Sequence, residues 1–399
     1  MGSARRSGIT EAPCTPGVSR LVDPLLRLGF FIAVLVVLLL RFDGRSPEAV
    51  SLPLVVVGLG VGGYLLIATP GMSAFVRNQA QNYPLVVGLG VLLLALPATV
   101  LTPVQTESDP ADLIFAAMLL LLPVGCAVLN TPELRRGDIG LGLSTAALPV
   151  LLPLTRNTAG SPLALMLEPG EIALRAGALA LPAALLLFTT PRQKQNLNFL
   201  LLCATLSIWY SIEFGAFPDV QIDPAVNLNY FYLAAILTLL YALSAAGWLP
   251  NVGFHFHASF HELASALLSL AVFAVPALGI GLASGFLKPE LQPFSVESLT
   301  RAGSVYLFVA LPEEILFRGV LLRYLHSTLA VPAAPALLLS AVIFGAAHLN
   351  NPPGVGWYFV LATLAGIAYG WIFLSTGKVT LSALVHTSVN WVWWAGFSG

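Results

Sequence analysis

Residues 302–325 read AGSVYLFVALPEEILFRGVLLRYL and place Glu313, Glu314 and Arg318 in the middle of an apolar run long enough to cross a bilayer. An ionisable side chain at that depth costs several kcal/mol unless it is paired or wet, so each one is a functional hypothesis. Glu314 and Arg318 are four apart with the acid on the N-terminal side, the favourable order for an ion pair on one helical face. That pairing leaves Glu313, which points about 100° away around an α-helix and can meet a different neighbour. A carboxylate in such surroundings suits general-base work.

Two further polar groups interrupt apolar runs downstream. FGAAHLN sets Phe344 and His348 four apart, and HTSVN sets His386 and Asn390 four apart on one face. At 1.5 Å per residue, Glu313 and His386 lie roughly 12 Å from the cytoplasmic edge and His348 roughly 20 Å. Three helices can therefore direct a carboxylate, two imidazoles and an amide at one buried, hydrated pocket, enough to activate water and hold an oxyanion. A membrane Glu–Arg pair is often purely structural, and a lone His near a helix end usually satisfies its own helix. The joint occurrence of all three groups in a region almost free of other charge favours chemistry.

The elements that must carry these residues are helices in lipid. Of 399 residues, 57% are hydrophobic and only 9% charged, too few charges to cover a soluble domain of this size. Spans are expected at roughly 24–41, 51–69, 84–102, 112–130, 139–155, 172–190, 197–214, 229–248, 260–286, 302–325, 334–349, 356–375 and 379–397. The expected fold is thus all-α, a polytopic integral membrane helical bundle of about 13 transmembrane helices. Arg5, Arg6, Arg20, Arg77, Arg135, Arg136, Arg192, Lys194, Arg323 and Lys378 fall on one side of that arrangement, which puts the N-terminus in the cytoplasm. The first run lacks a small-residue cleavage pattern and reads as a signal anchor. The organisation expected is a polar cytoplasmic N-terminus (1–23), an N-terminal helical region of unassigned role (24–228) and a catalytic region (229–399) with its core at 301–397.

Cys14, Cys126 and Cys203 form neither a disulfide framework nor a CxxC site. A net charge of -1 gives no basic excess for nucleic acid. GFHFHASFHE at 253–262 gathers His255, His257, His261 and Glu262 among phenylalanines, and a water-facing interfacial segment is preferred there over a metal or proton-relay role. HELAS within it begins like a zincin motif and lacks the second His. Gly366 and Gly370 form a small-xxx-small pattern read as simple packing.

On Glu313-Glu314-x-x-x-Arg318, Phe344-x-x-x-His348 and His386-x-x-x-Asn390, the sequence resembles the CAAX-protease and bacteriocin-processing family of intramembrane endopeptidases, over roughly residues 230–397 and strictly 301–397. The resemblance implies peptide-bond hydrolysis in or near the membrane by a glutamate-activated water. Glu313 would be the base, His348 would help position the water, His386 and Asn390 would hold the oxyanion, and Glu314 with Arg318 would support them. It also implies a bacterial inner-membrane location and a membrane-embedded protein or peptide substrate; a C-terminal sorting tail is preferred slightly over a prenylated end. No obligatory metal is expected. Two His on separate helices and one Glu (His348, His386, Glu313) could still form a zinc site. The rival classes are a proton-coupled transporter using the same buried residues and a non-catalytic immunity or scaffold protein.

Overall fold

The computed structural model describes residues 19–41, 44, 46–82, 209, 230–245, 248–249, 252–349 and 355–398. The spans expected at 84–102, 112–130, 139–155, 172–190 and 197–214 (bar Trp209), the polar break at 215–228 and all three cysteines lie outside the described residues. The chain divides into two compact units, Met1–Val37 with Asn251–Gly399, and Leu38–Pro250.

Within the second unit, α2 (Pro47–Ile67) and α3 (Pro70–Asn82) meet at 93°. Thr69 makes the corner: its backbone N–H and hydroxyl both donate to the Leu66 carbonyl at 2.9 and 2.7 Å, and Pro70 opens the next helix without needing a donor. α4 (Tyr230–Ala245) packs on this elbow, with Leu233 seated against Gly60 and the Ser244 hydroxyl 2.9 Å from that of Ser73.

The first unit contains the start of α1 (Ser19–Arg41), then α5 (Phe260–Ala283) and α6 (Val296–Val305). Ser259 and Glu262 close a capping box at the start of α5, so the Glu of HELAS satisfies helix N–H groups. Beyond α6 the helical path continues as π-helix over Tyr306–Ala310, α7 (Leu311–Glu314), and further π-helix over Ile315–Leu322 and Tyr324–Thr328. Pro312 gives a physical reason for the first widening, since it has no N–H and its ring crowds the carbonyl one turn back. α8 (Ala333–Ala346), α9 (Val355–Thr376) and α10 (Val379–Gly396) follow. A two-residue antiparallel ladder, β1 (Lys288–Pro289) with β2 (Phe397–Ser398), ties the segment after α5 to the end of α10.

Among the described residues, Val22–Leu40, Phe260–Ala283 and Gly356–Thr376 are long and apolar enough to cross a membrane, and the α2–α3 pair makes a fourth if taken as one broken span. Side chains such as Leu267 and Val275 on α5 are 67% and 76% exposed, which suits lipid. The glycine pair in α9 is a packing device. A Cβ at Gly366 would stand 3.0 Å from the Ala341 Cα, and one at Gly370 would overlap Leu337, so α8 and α9 touch backbone to backbone.

Residues 252–259 form a non-helical clasp between α1 and α10. Arg27 donates to the Phe254 carbonyl at 2.6 Å and Asp23 accepts from the Phe256 N–H at 2.6 Å. On the other side, Val379 donates to the Gly253 carbonyl at 3.1 Å and Lys378 to the His257 carbonyl at 3.0 Å. Gly253 has φ +79°, and any Cβ there would collide with the Gly377 carbonyl. Gly253→Ala is therefore expected to destabilise the protein by about 1–3 kcal/mol or more, read as a lower thermal midpoint in detergent, whereas Gly279→Ala, with nothing within 4 Å, should leave it unchanged.

Candidate active site

The site begins with Glu314, whose carboxylate is fully buried and bonded on both oxygens. Its Oε1 accepts from Arg318 Nη1 at 2.9 Å and lies 2.9 Å from His386 Nδ1; its Oε2 lies 2.5 Å from the Ser382 hydroxyl. Arg318 is equally buried. Its second nitrogen donates to the Gly366 carbonyl at 3.1 Å, and its guanidinium sits 4.4 Å over the Phe344 ring and 5.2 Å over that of Tyr369. The predicted ion pair is thus present, and it belongs to a network spanning α7, the following π-turn, α9 and α10. Sequence spacing alone finds the pair but not its connection to His386.

The hydrogen bonds fix which edge of each imidazole faces its partner. Glu314 Oε1 takes the Nδ1 edge of His386, which turns Nε2 the other way. That Nε2 is 3.9 Å from Glu313 Oε2. Glu313, 12% exposed against none for Glu314, therefore approaches the same imidazole from its opposite edge. His348 lies two residues beyond the end of α8, not within it. Its Nδ1 donates to the Phe344 carbonyl at 2.8 Å, one of the orphan acceptors of a helix C-terminus. Its Nε2 is likewise left for other partners. Phe344 packs between the parts, 5.0 Å from Phe317, 4.7 Å from His348 and 5.7 Å from His386.

His348, His386 and Asn390 border a half-open cavity of about 220 Å³ whose remaining wall is mostly apolar, from Phe273, Ala277, Leu361, Ala365 and Trp393 among others. Glu313, Glu314, Arg318, Phe344, His348, His386 and Asn390 therefore share one region of the first unit. Spacing alone missed Ser382, one turn before His386, which holds Glu314 and also reaches the Tyr369 carbonyl at 2.8 Å. Among the described residues no group of three His, Cys, Asp or Glu side chains is gathered closely enough to hold a metal ion.

The second histidine group is part of the clasp. His255 and His257 precede α5, and only His261 is helical. Burial lowers the His255 pKa, with Arg27, His257 and Lys378 adding to the effect and Asp23 opposing it. Its carbonyl accepts from the Thr380 hydroxyl, and Glu262 pairs with Lys378 at 2.7 Å.

The first unit thus sets a buried carboxylate–imidazole network beside an apolar cavity. Residues 295–392 match the family described as type II CAAX prenyl endopeptidase Rce1-like, a match that supports a likeness of this part of the chain to the CAAX-protease family. No curated protein and no solved structure matches the chain.

Removing one member of a buried ion pair leaves a bare charge, at a cost of about 3–5 kcal/mol. Arg318→Met is accordingly expected to lower the thermal midpoint sharply. Glu314→Gln combined with Arg318→Met should recover much of that stability, because no unpaired charge remains. Equal loss in the single and double variants would contradict a Glu314–Arg318 pair.

Proposed function

We propose that this protein is a glutamic intramembrane endopeptidase in which Glu313 activates the attacking water. The observation that carries the reading is the position of Glu313 against His386 Nε2, while Glu314 and Arg318 hold the other edge of the same ring. In this reading Glu313 takes a proton from water as its oxygen attacks the scissile carbonyl. His386 and Asn390 stabilise the tetrahedral oxyanion, and His348 helps to position the water. Glu313 then returns the proton to the leaving amine, giving a free amine and a carboxylic acid. No step passes through a metal. Glu314, Arg318 and Ser382 act through His386 and touch no reacting atom.

The proposed substrate is a membrane-embedded protein or peptide, with a C-terminal sorting tail favoured over a prenylated end. The apolar cavity wall beside the imidazoles suits a segment arriving from lipid. The enzyme would sit in a bacterial inner membrane with its N-terminus in the cytoplasm.

Glu313→Gln keeps size and loses the base. It is expected to insert and melt like the parent protein while cleavage falls by at least about a thousandfold, within the range one catalytic group supplies. The check compares the termini of membrane and surface proteins in cells carrying either form. Chelators should leave the parent activity intact. Full cleavage by Glu313→Gln would sink the mechanism, and coupled ion flux without any cleavage would favour a carrier.

A further inference from the structure

Each site imidazole is held by one hydrogen bond through Nδ1, to Glu314 for His386 and to the Phe344 carbonyl for His348. One bond fixes an edge of the ring but leaves its tilt, and hence the direction of Nε2, undetermined. In both cases a tyrosine lies flat on the ring. Tyr369 stacks on His386 at 4.5 Å and 16°, and Tyr358 stacks on His348 at 5.6 Å and 18°.

Both tyrosines come from α9. They are eleven residues apart, within about 20° of three full helical turns, so they form one stripe. Ala362 and Ala365 lie between them and line the cavity, so the stripe forms a wall that leaves room before the two imidazoles. Each tyrosine is itself immobilised. Tyr369 is 1% exposed, packs edge-on to Phe344 at 6.0 Å, and has its carbonyl tied to Ser382. Tyr358 rests against Trp393 at 5.4 Å and Phe286 at 5.9 Å.

We propose that Tyr369 and Tyr358 are positioning residues, which set the planes of His386 and His348 by stacking and so aim the two Nε2 atoms into the cavity. The proposal concerns how the site is held, and its effect on turnover rests on the protease reading above. The aromatic face does the work, and the hydroxyl is not required.

Two measurements on the full-length protein test it. The first is independent of activity: with histidine labelled at Cε1, the ring current of a stacked tyrosine shifts the His resonance. Tyr369→Leu should move the His386 signal and Tyr358→Leu the His348 signal, each leaving His261 in place, while Tyr369→Phe and Tyr358→Phe should retain the parent positions. The second is turnover of a substrate found by the terminus comparison. Tyr369→Leu is expected to lower kcat on the order of 10–100-fold with KM within about threefold, as misaimed catalytic groups do, and Tyr369→Phe should restore most of the loss.

If Tyr369→Leu fails to fold, Tyr358→Leu carries the test, because Tyr358 is only half-buried. Unmoved His signals in the Leu variants, or parent kcat with moved signals, would overturn the proposal while leaving Glu313 as the base. If the parent protein cleaves nothing, the protease reading falls instead, and the stacking is judged by the first measurement alone: moved His386 and His348 signals support it and unmoved signals overturn it.

Discussion

A carboxylate buried without water is tolerable only if its charge and lone pairs are answered, and Glu314 is the point at which this chain meets that demand. Arg318 supplies the counter-charge, and Ser382 and His386 supply further donors. The second Arg318 donor reaches the Gly366 carbonyl, where the contact of α8 with α9 is closest. Such a network adds little net stability compared with apolar packing, because desolvation consumes most of the attraction. Its value lies in register: a displacement of α9 or α10 by a fraction of a turn would strand a charge. The helices that bring His386 to Glu313 are aligned by the penalty for misalignment.

Two adjacent glutamates thereby stand in different surroundings. Glu314 is enclosed and saturated, its oxygens committed to three side chains. Glu313 keeps some exposure and stands off His386 by 3.9 Å, too far for a direct hydrogen bond and close enough for one water to contact both groups. The same ring separates them, with Nδ1 engaged on one side and Nε2 turned to the other. This is the arrangement expected when one carboxylate orients an imidazole and the other works with it.

Much of this was legible in the sequence because buried charge is rare in apolar segments. Glu313, Glu314, Arg318, His348 and His386 stand out for that reason, and the i, i+4 spacing of Glu314 with Arg318 identified their pairing correctly. What depends on how helices face one another was not legible. Ser382 is an ordinary serine until α10 is set against α7, and Tyr358 and Tyr369 look like any aromatic residues of a span until α9 is set against both histidines. The π-turns around Pro312 escape a reading that assumes 3.6 residues per turn throughout, and the placement of His348 just past α8 escapes one that counts apolar residues. HELAS misleads in the opposite direction: its Glu caps a helix and pairs with Lys378.

The precision of the site also depends on how α10 is anchored, since Ser382, His386 and Asn390 all lie along it at one-turn intervals. Its first N–H groups would be orphans at a helix start, and the clasp meets one of them, Val379 N–H donating to the Gly253 carbonyl, while the Thr380 hydroxyl adds a side-chain tie to the His255 carbonyl. Arg27 and Asp23 of α1 hold the same clasp from the other side, so the beginning of the chain fixes the helix that ends it. At the far end, Glu290 and Gln292 donate to the Gly396 and Ala395 carbonyls at 2.9 and 2.8 Å, and the short β1–β2 ladder adds to that hold. A helix pinned at both termini can neither slide nor rotate, which leaves the tilt of its histidine as the remaining freedom. Stacking by Tyr369 acts on that freedom. The backbone anchors set where His386 lies, Glu314 sets which edge faces inward, and the aromatic face sets the plane, three constraints of different physical kind converging on one nitrogen atom.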